Sequence, residues 1–127
     1  IFKPNLNELS KAVGRKVLPE IADINSVVKQ LNLNDQAYVF VSLADKGIFF
    51  KYKDEYGLID GIEVSNADVS GAGDTVICAL TLAYLNDFSV QKMARFANQC
   101  GAYVCAQMGI AQIPLSQIRK TAKSLDL

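Results

Sequence analysis

The chain has 127 residues, half of them apolar and a fifth charged, which is one domain's worth of chain with enough apolar side chains for a core. Thirteen basic residues balance thirteen acidic ones, so no electrostatic footprint for nucleic acid or for an anionic membrane surface is present. No apolar run is long enough to span a bilayer and no signal-peptide pattern appears, while Cys78, Cys100 and Cys105 fall in apolar helical stretches with no histidine to complete a zinc site. Buried reduced thiols in a cytoplasmic protein are the expectation.

In chain order, Ile1 to Asn5 reads as the end of a strand closed by Pro4. Asn5 or Asn7 caps a short helix through Val13, which Gly14 stops. Pro19 fits the first turn of a second helix, whose stripe Ile21, Ile24, Val28 and Leu31 has a 3.6-residue period. Ala37 to Leu43 is a nearly continuous run of β-formers, as in a central strand buried on both faces. Asp45-Lys46-Gly47 turns the chain into Ile48 to Tyr52, which returns antiparallel beside it.

Tyr56 to Val64 predicts a further strand, with Gly57 and Gly61 allowing bends. Helices follow over Thr75 to Leu85 and about Ser89 to Met108, the second with the stripe Met93, Phe96, Ala97, Cys100, Val104 and Met108. Leu115 to Leu127 closes the chain as an amphipathic helix with a basic face. Strand-like runs alternating with helical stripes predict an α/β fold, a three-layer α/β/α sandwich of Rossmann-like type with a largely parallel sheet.

The chemistry centres on Asn66-Ala67-Asp68-Val69-Ser70-Gly71-Ala72-Gly73-Asp74-Thr75. Gly71 and Gly73 let the backbone turn tightly at the start of an apolar helix, and a helix N-terminus offers unpaired N–H donors and about half a positive charge. A phosphate over Gly71, Ala72 and Gly73 would be held without a lysine. Asp74, in the first turn, reads either as a capping aspartate or as a general base beside that cradle.

Asp68 to Thr75 resembles the D-x-x-G-A-G-D signature of the ribokinase-like (PfkB) carbohydrate kinases. The resemblance implies that Asp74 is the catalytic base and that Gly71, Ala72 and Gly73 form the anion hole. Lys3 to Glu8 resembles that family's K-P-N-x-x-E segment, in which Asn5 and Glu8 organise magnesium and phosphate through water. A plain helix cap is the other reading of that pair. Val41 to Gly47 resembles the family's V-T-x-G-x-x-G stretch, which puts Ser42 and Gly47 on nucleotide phosphate. Ala44 departs from the pattern where a glycine is usual, and a plain turn stays open. Asn98 occupies the helix position that faces adenine, or is an exposed helical asparagine. Gly109 to Pro114 is similar to the family's loop at the nucleotide edge. Asp68 and Ser70 stand where the family can hold a monovalent cation, potassium, and a helix cap is an equal reading of Asp68.

Together these imply ATP-dependent phosphoryl transfer to a sugar or sugar-phosphate hydroxyl, with Mg2+ and K+, and with heptose-phosphate kinases as the nearest branch. No nucleic acid or membrane partner is expected. Family members are more than twice this length with the signature in the C-terminal half, and the chain opens on Ile1. The expectation is therefore that residues 1–127 are the C-terminal nucleotide-binding and catalytic part, without the N-terminal half, inactive alone and prone to self-association into a homo-oligomer. Two other classes stand beside it. One is a nucleotide-binding module without catalysis; the other is a Rossmann-type dehydrogenase half, against which no G-x-G-x-x-G follows a first strand.

Overall fold

Asn5 starts the first helix for a local reason. In the computed structural model, which describes residues 1–65, 67–69, 71–109 and 111–126, its side chain accepts the Glu8 N–H at 2.8 Å and the Glu8 carboxylate accepts the Asn5 N–H at 2.7 Å. This capping box satisfies two of the donors that any helix start leaves unpaired. Helix α1 (Leu6–Val13) runs from it to Gly14, left-handed at φ 71°. Asn7 lies inside the helix.

The chain divides into two compact units, Ile1–Gly61 and Ile62–Leu127. In the first, α2 (Ile21–Gln30) begins after Glu20, so Pro19 stands just outside rather than in the first turn. The linker before α2 is pinned by the Arg15 fork on Asp23, with Nη2 to Oδ1 at 2.7 Å and Nη1 to Oδ2 at 3.1 Å. Asp23 also accepts the Leu18 N–H at 2.8 Å. The Arg15 hydrogen bond first, and the Leu18 N–H second, hold the Asp23 carboxyl below its ordinary range.

Strand β1 (Val39–Ser42) pairs antiparallel with β2 (Gly47–Tyr52), which pairs antiparallel with β3 (Glu55–Asp60). Val41 sits opposite Phe49 and Phe49 opposite Leu58. The expected largely parallel sheet is not what this sheet shows, because connections this short make hairpins, whereas parallel pairing needs a long crossover. The one crossover in this unit, through α1 and α2, does bring residues 1–5 parallel to β1. Phe2 bridges Val39 and Asn5 bridges Ser42, with Phe2 N–H on Tyr38 O at 2.8 Å and Ser42 N–H on Pro4 O at 3.1 Å. Pro4 has no N–H to give, so the ladder stays at isolated bridges.

Leu9, Val17, Ile24, Val27, Val28, Val39, Val41, Leu43 and Phe49 form the core of this unit, each worth about 1.5–3 kcal/mol when fully buried. Val39, Phe40 and Val41 are buried in succession, as the sequence predicts for a strand covered on both faces. Asn25 is also buried, and its Oδ1 has no hydrogen-bond partner among the described residues, a cost of about 1–3 kcal/mol.

The second unit is helical among the described residues. Helix α3 (Ala72–Leu85) packs Ala79, Leu80 and Ala83 inward. Helix α4 (Val90–Cys105), capped by Ser89, buries Met93, Phe96, Ala97, Cys100 and Val104. The two approach closely at Gly101, where an added Cβ would lie 3.0 Å from Val76 Cγ2. Helix α5 (Leu115–Ser124) buries Thr121.

Three expectations change here. Helix α4 ends at Cys105, leaving Met108 97% exposed rather than on the core stripe. Strand β3 ends at Asp60, short of Val64. Of the three thiols, Cys100 is buried, Cys105 is partly covered and Cys78 is exposed, because Cys78 lies on the face of α3 away from Ala79 and Leu80. No helix among the described residues is long and apolar enough to cross a membrane.

Candidate active site

In the second unit, Gly71 adopts φ 75° and opens the 14-residue α3 with no side-chain cap. A left-handed residue at a helix start turns the preceding chain sharply away, which glycine does without steric penalty. The Ala72 N–H is taken by Val69 O at 3.2 Å and the Thr75 N–H by Gly71 O at 3.0 Å. Between them, the N–H groups of Gly73 and Asp74 have no partner among the described residues. Among the described residues the Ala72 N–H is engaged, and the Gly73 and Asp74 N–H groups follow it along the first turn.

Asp74 is the third residue of α3 and its side chain is exposed. Gly71, not Asp74, is the N-cap, so the capping-aspartate reading does not hold. The helix dipole favours a carboxylate at this position by about 0.3–1 kcal/mol.

Asp68 does not cap the helix either. Its Oδ2 accepts the Gly109 N–H at 2.8 Å, and its own N–H donates to Cys105 O at 2.9 Å. The Cys105 thiol is pushed above its ordinary range by burial and secondarily by the Asp68 charge. Burial alone raises Cys100 to about 11. Gly109 is left-handed at φ 70°, and Asn98 is half-buried on α4. Ser70 lies outside the described residues, as does Asn66.

A cavity of about 540 Å3 in this unit lies between residues 62–65, Gln99 and Tyr103 of α4, and Thr121 of α5. Gln99 and Tyr103 line it, whereas Asn98 does not. Sequence reasoning passed over these two, although they sit four apart on one helical face and interrupt the apolar stripe.

In the first unit, Asn5, Glu8 and Ser42 come together at the carboxyl end of β1, since Asn5 bridges Ser42 and cages Glu8 in the capping box. Glu8 spends Oε2 on the Asn5 N–H, leaving its second oxygen for another partner. Gly47, at φ 105°, is demanded by packing: an added Cβ would collide with the Ile59 carbonyl oxygen and lie 2.7 Å from the Gly61 nitrogen. Ala44 takes a left-handed φ of 53° in the 3-10 turn Ala44–Lys46. Among the described residues, no three Cys, Asp or Glu side chains converge as a metal cage.

Residues 1–117 match the profile described as pfkB family carbohydrate kinase. The bifunctional protein HldE of Helicobacter pylori strain HPAG1 is 36% identical over 119 residues, covering 93% of this chain and 26% of that protein. Tagatose-6-phosphate kinase of Staphylococcus epidermidis is 21% identical over 127 residues, covering the whole chain and 41% of that protein. This chain thus spans about a quarter of the length of the HldE relatives. Phosphofructokinase-2 of Escherichia coli, solved in complex with potassium, superposes with a TM-score of 0.82 at 25% identity, over 98% of this chain and 40% of that one. Ribokinase of Thermotoga maritima shares the fold at a TM-score of 0.75 and 21% identity, over 95% and 41% of the two chains. A signature loop that starts a helix with Asp74 in its first turn, and a profile match across residues 1–117, lead to one assignment: this α/β chain belongs to the pfkB family of carbohydrate kinases.

Proposed function

We propose that residues 1–127 form the nucleotide-binding and catalytic part of an ATP-dependent carbohydrate kinase, within a three-layer α/β/α fold whose sheet is largely parallel. The observation that supports it most is the exposed Asp74 carboxylate in the first turn of α3, beside the Gly73 N–H, which has no partner among the described residues. Asp74 takes the proton of the acceptor hydroxyl as that oxygen attacks the γ-phosphorus. The bond from phosphorus to the bridging oxygen breaks, and ADP leaves with the electron pair. The Gly71–Gly73 turn and the α3 dipole meet the charge on the phosphoryl oxygens, a preorganised arrangement that needs no rearrangement at the moment of transfer.

Ser42 and Gly47 serve the nucleotide phosphates, and Asn98 and Gly109 the base edge. Magnesium, when bound, neutralises phosphate charge. Asn5 and Glu8 would hold it through water, which suits a cation that keeps much of its hydration shell and a carboxylate with one oxygen outside the capping box. Asp68 and Ser70 would serve a monovalent cation, and phosphofructokinase-2 offers the parallel of a potassium complex. The acceptor is a sugar or sugar phosphate, with a heptose phosphate favoured by the sequence resemblance, and the setting is cytoplasmic. A homo-oligomer fits the family, in which phosphofructokinase-2 has a tetrameric inhibited form.

The test uses the intact gene product with ATP, magnesium and a panel of sugar phosphates. Asp74→Asn is expected to lower kcat by about 10²–10⁴-fold, with the KM for ATP nearly unchanged. Calorimetry that detects no nucleotide binding, or an Asp74→Asn enzyme with unreduced kcat, would sink the reading.

A further inference from the structure

The first unit holds a second concavity that the kinase reading leaves unused. It is a cavity of about 540 Å3 between the end of α2, the loop 32–37 and the β2–β3 turn, a size that suits a small-molecule ligand. Val28 and Val39 give it an apolar floor, and Lys29, Lys51 and Lys53 stand on its rim. It meets β1 at Val39, whereas Ser42 closes the other end of that strand, roughly 10 Å away at the usual rise per residue.

Its cations are not spent on neighbours. Asp35 and Asp54 also line the cavity, yet among the described residues none of the three lysines has a carboxylate within 4.0 Å. Neutral groups hold two of them instead. Lys51 Nζ donates to Lys53 O at 2.9 Å and lies 5.3 Å from the Tyr56 ring centroid, and Lys53 Nζ lies 5.1 Å from that of Tyr52. Such contacts fix an ammonium group without neutralising it.

The wall is also set in advance. Tyr52 stacks on Tyr38 with centroids 4.0 Å apart and planes 7° from parallel, and its hydroxyl donates to Gln36 Oε1 at 3.2 Å. The Gln36 N–H donates to Asn34 Oδ1 at 2.8 Å. Gln36 therefore has its carbonyl engaged and its amide nitrogen left to donate.

We propose that this groove binds a small polyanion, a metabolite with two or more phosphate or carboxylate groups on a compact carbon skeleton. The ammonium groups and the Gln36 amide meet the oxygens, and Val28 and Val39 lie against the skeleton. None of its lining residues is one of those assigned to ATP above, and the proposal does not depend on that reading.

The chain is titrated with pyrophosphate and, separately, citrate at constant ionic strength, with backbone amide NMR as the readout. Saturable shifts are expected at 29, 32–37 and 51–54, and Lys29→Gln with Lys53→Gln should raise Kd by about tenfold. A response to pyrophosphate alone assigns a phosphate ligand, and one to citrate alone a carboxylate ligand. Pyrophosphate shifts at 71–74 report the kinase loop and persist in the lysine variant, so the two readings fail separately. No saturable shift in the groove with either anion, or a Kd that the double variant leaves unchanged, would overturn the proposal.

Discussion

Asp68 splits a helical hydrogen bond between its own two ends. In a continuing α4, the Gly109 N–H would donate to Cys105 O, four residues back. Instead the Asp68 carboxylate accepts the Gly109 N–H at 2.8 Å, and the Asp68 N–H donates to Cys105 O at 2.9 Å. The segment entering α3 thereby occupies both groups that a further turn of α4 would join. An added Cβ at Gly109 would meet nothing within 4 Å, so its left-handed φ of 70° rather than crowding is what favours glycine there.

Asp68→Ala is therefore expected to cost about 1–2 kcal/mol, the range for a part-exposed bond to a charged acceptor. It should also speed amide exchange at Gly109, while Asp68→Asn, which keeps an acceptor oxygen, retains much of the protection. Unchanged exchange at Gly109 in Asp68→Ala would show that the bond is absent in solution.

Ala44 stands where the V-T-x-G-x-x-G pattern that this segment resembles has glycine, and its φ of 53° shows why glycine is usual there. A Cβ in the left-handed region costs roughly 1–2 kcal/mol, offset in part by the greater freedom of glycine in the unfolded chain. Ala44→Gly should raise stability by about 0.5–1 kcal/mol, read as a higher urea midpoint at unchanged m-value. A lower midpoint would mean that the turn does not strain Ala44.

What the sequence made legible was local. Asn5, Glu8 and Gly14 bound α1 through contacts within a few residues, and the short Asp45-Lys46-Gly47 turn dictated an antiparallel return. Signals failed where a distant segment decided. The apolar period runs on through Met108, yet α4 stops at Cys105, where the Gln107 N–H turns to Val104 O and Asp68, 37 positions earlier, takes the Cys105 carbonyl. Strand partners are equally hard to read, since apolar runs reveal a strand but not its neighbour. At the site, the motif marked Asp74 and Gly71, but that the Ala72 N–H is taken depends on the Val69 carbonyl.

The thiols provide a test of the packing in the second unit. Near pH 8, one equivalent per chain, Cys78, is expected to react rapidly with a disulfide reagent, Cys105 more slowly and Cys100 only on unfolding. Burial raises the Cys100 pKa from 9.0 to about 11, so the unfolded thiol ionises first. The stability this group contributes is complete below about pH 9 and is lost as pH rises through about 11. A rapid phase that survives in Cys78→Ser would place the exposed thiol elsewhere.

Asp74 shares a stripe of α3 with Cys78, Leu82 and Leu85, at spacings of four, four and three, and Leu82 and Leu85 are 40% and 71% exposed. A helix apolar on every side is ordinarily buried on every side, and here the face carrying the proposed base is open to water. Phosphoryl transfer depends on a hydroxyl held in line with the phosphate and shielded from solvent, and losing that placement forfeits several kcal/mol of barrier lowering. Residues 1–127 alone should therefore fold and bind ATP, yet turn over at least about 10³-fold more slowly than the intact gene product. The open α3 stripe and the outer edge of β3, with Tyr56 47% exposed, should also drive self-association. Light scattering is expected to show oligomers that Leu82→Lys with Leu85→Lys reduces. Turnover equal to that of the intact product, and abolished by Asp74→Asn, would show that this face of α3 works without a cover.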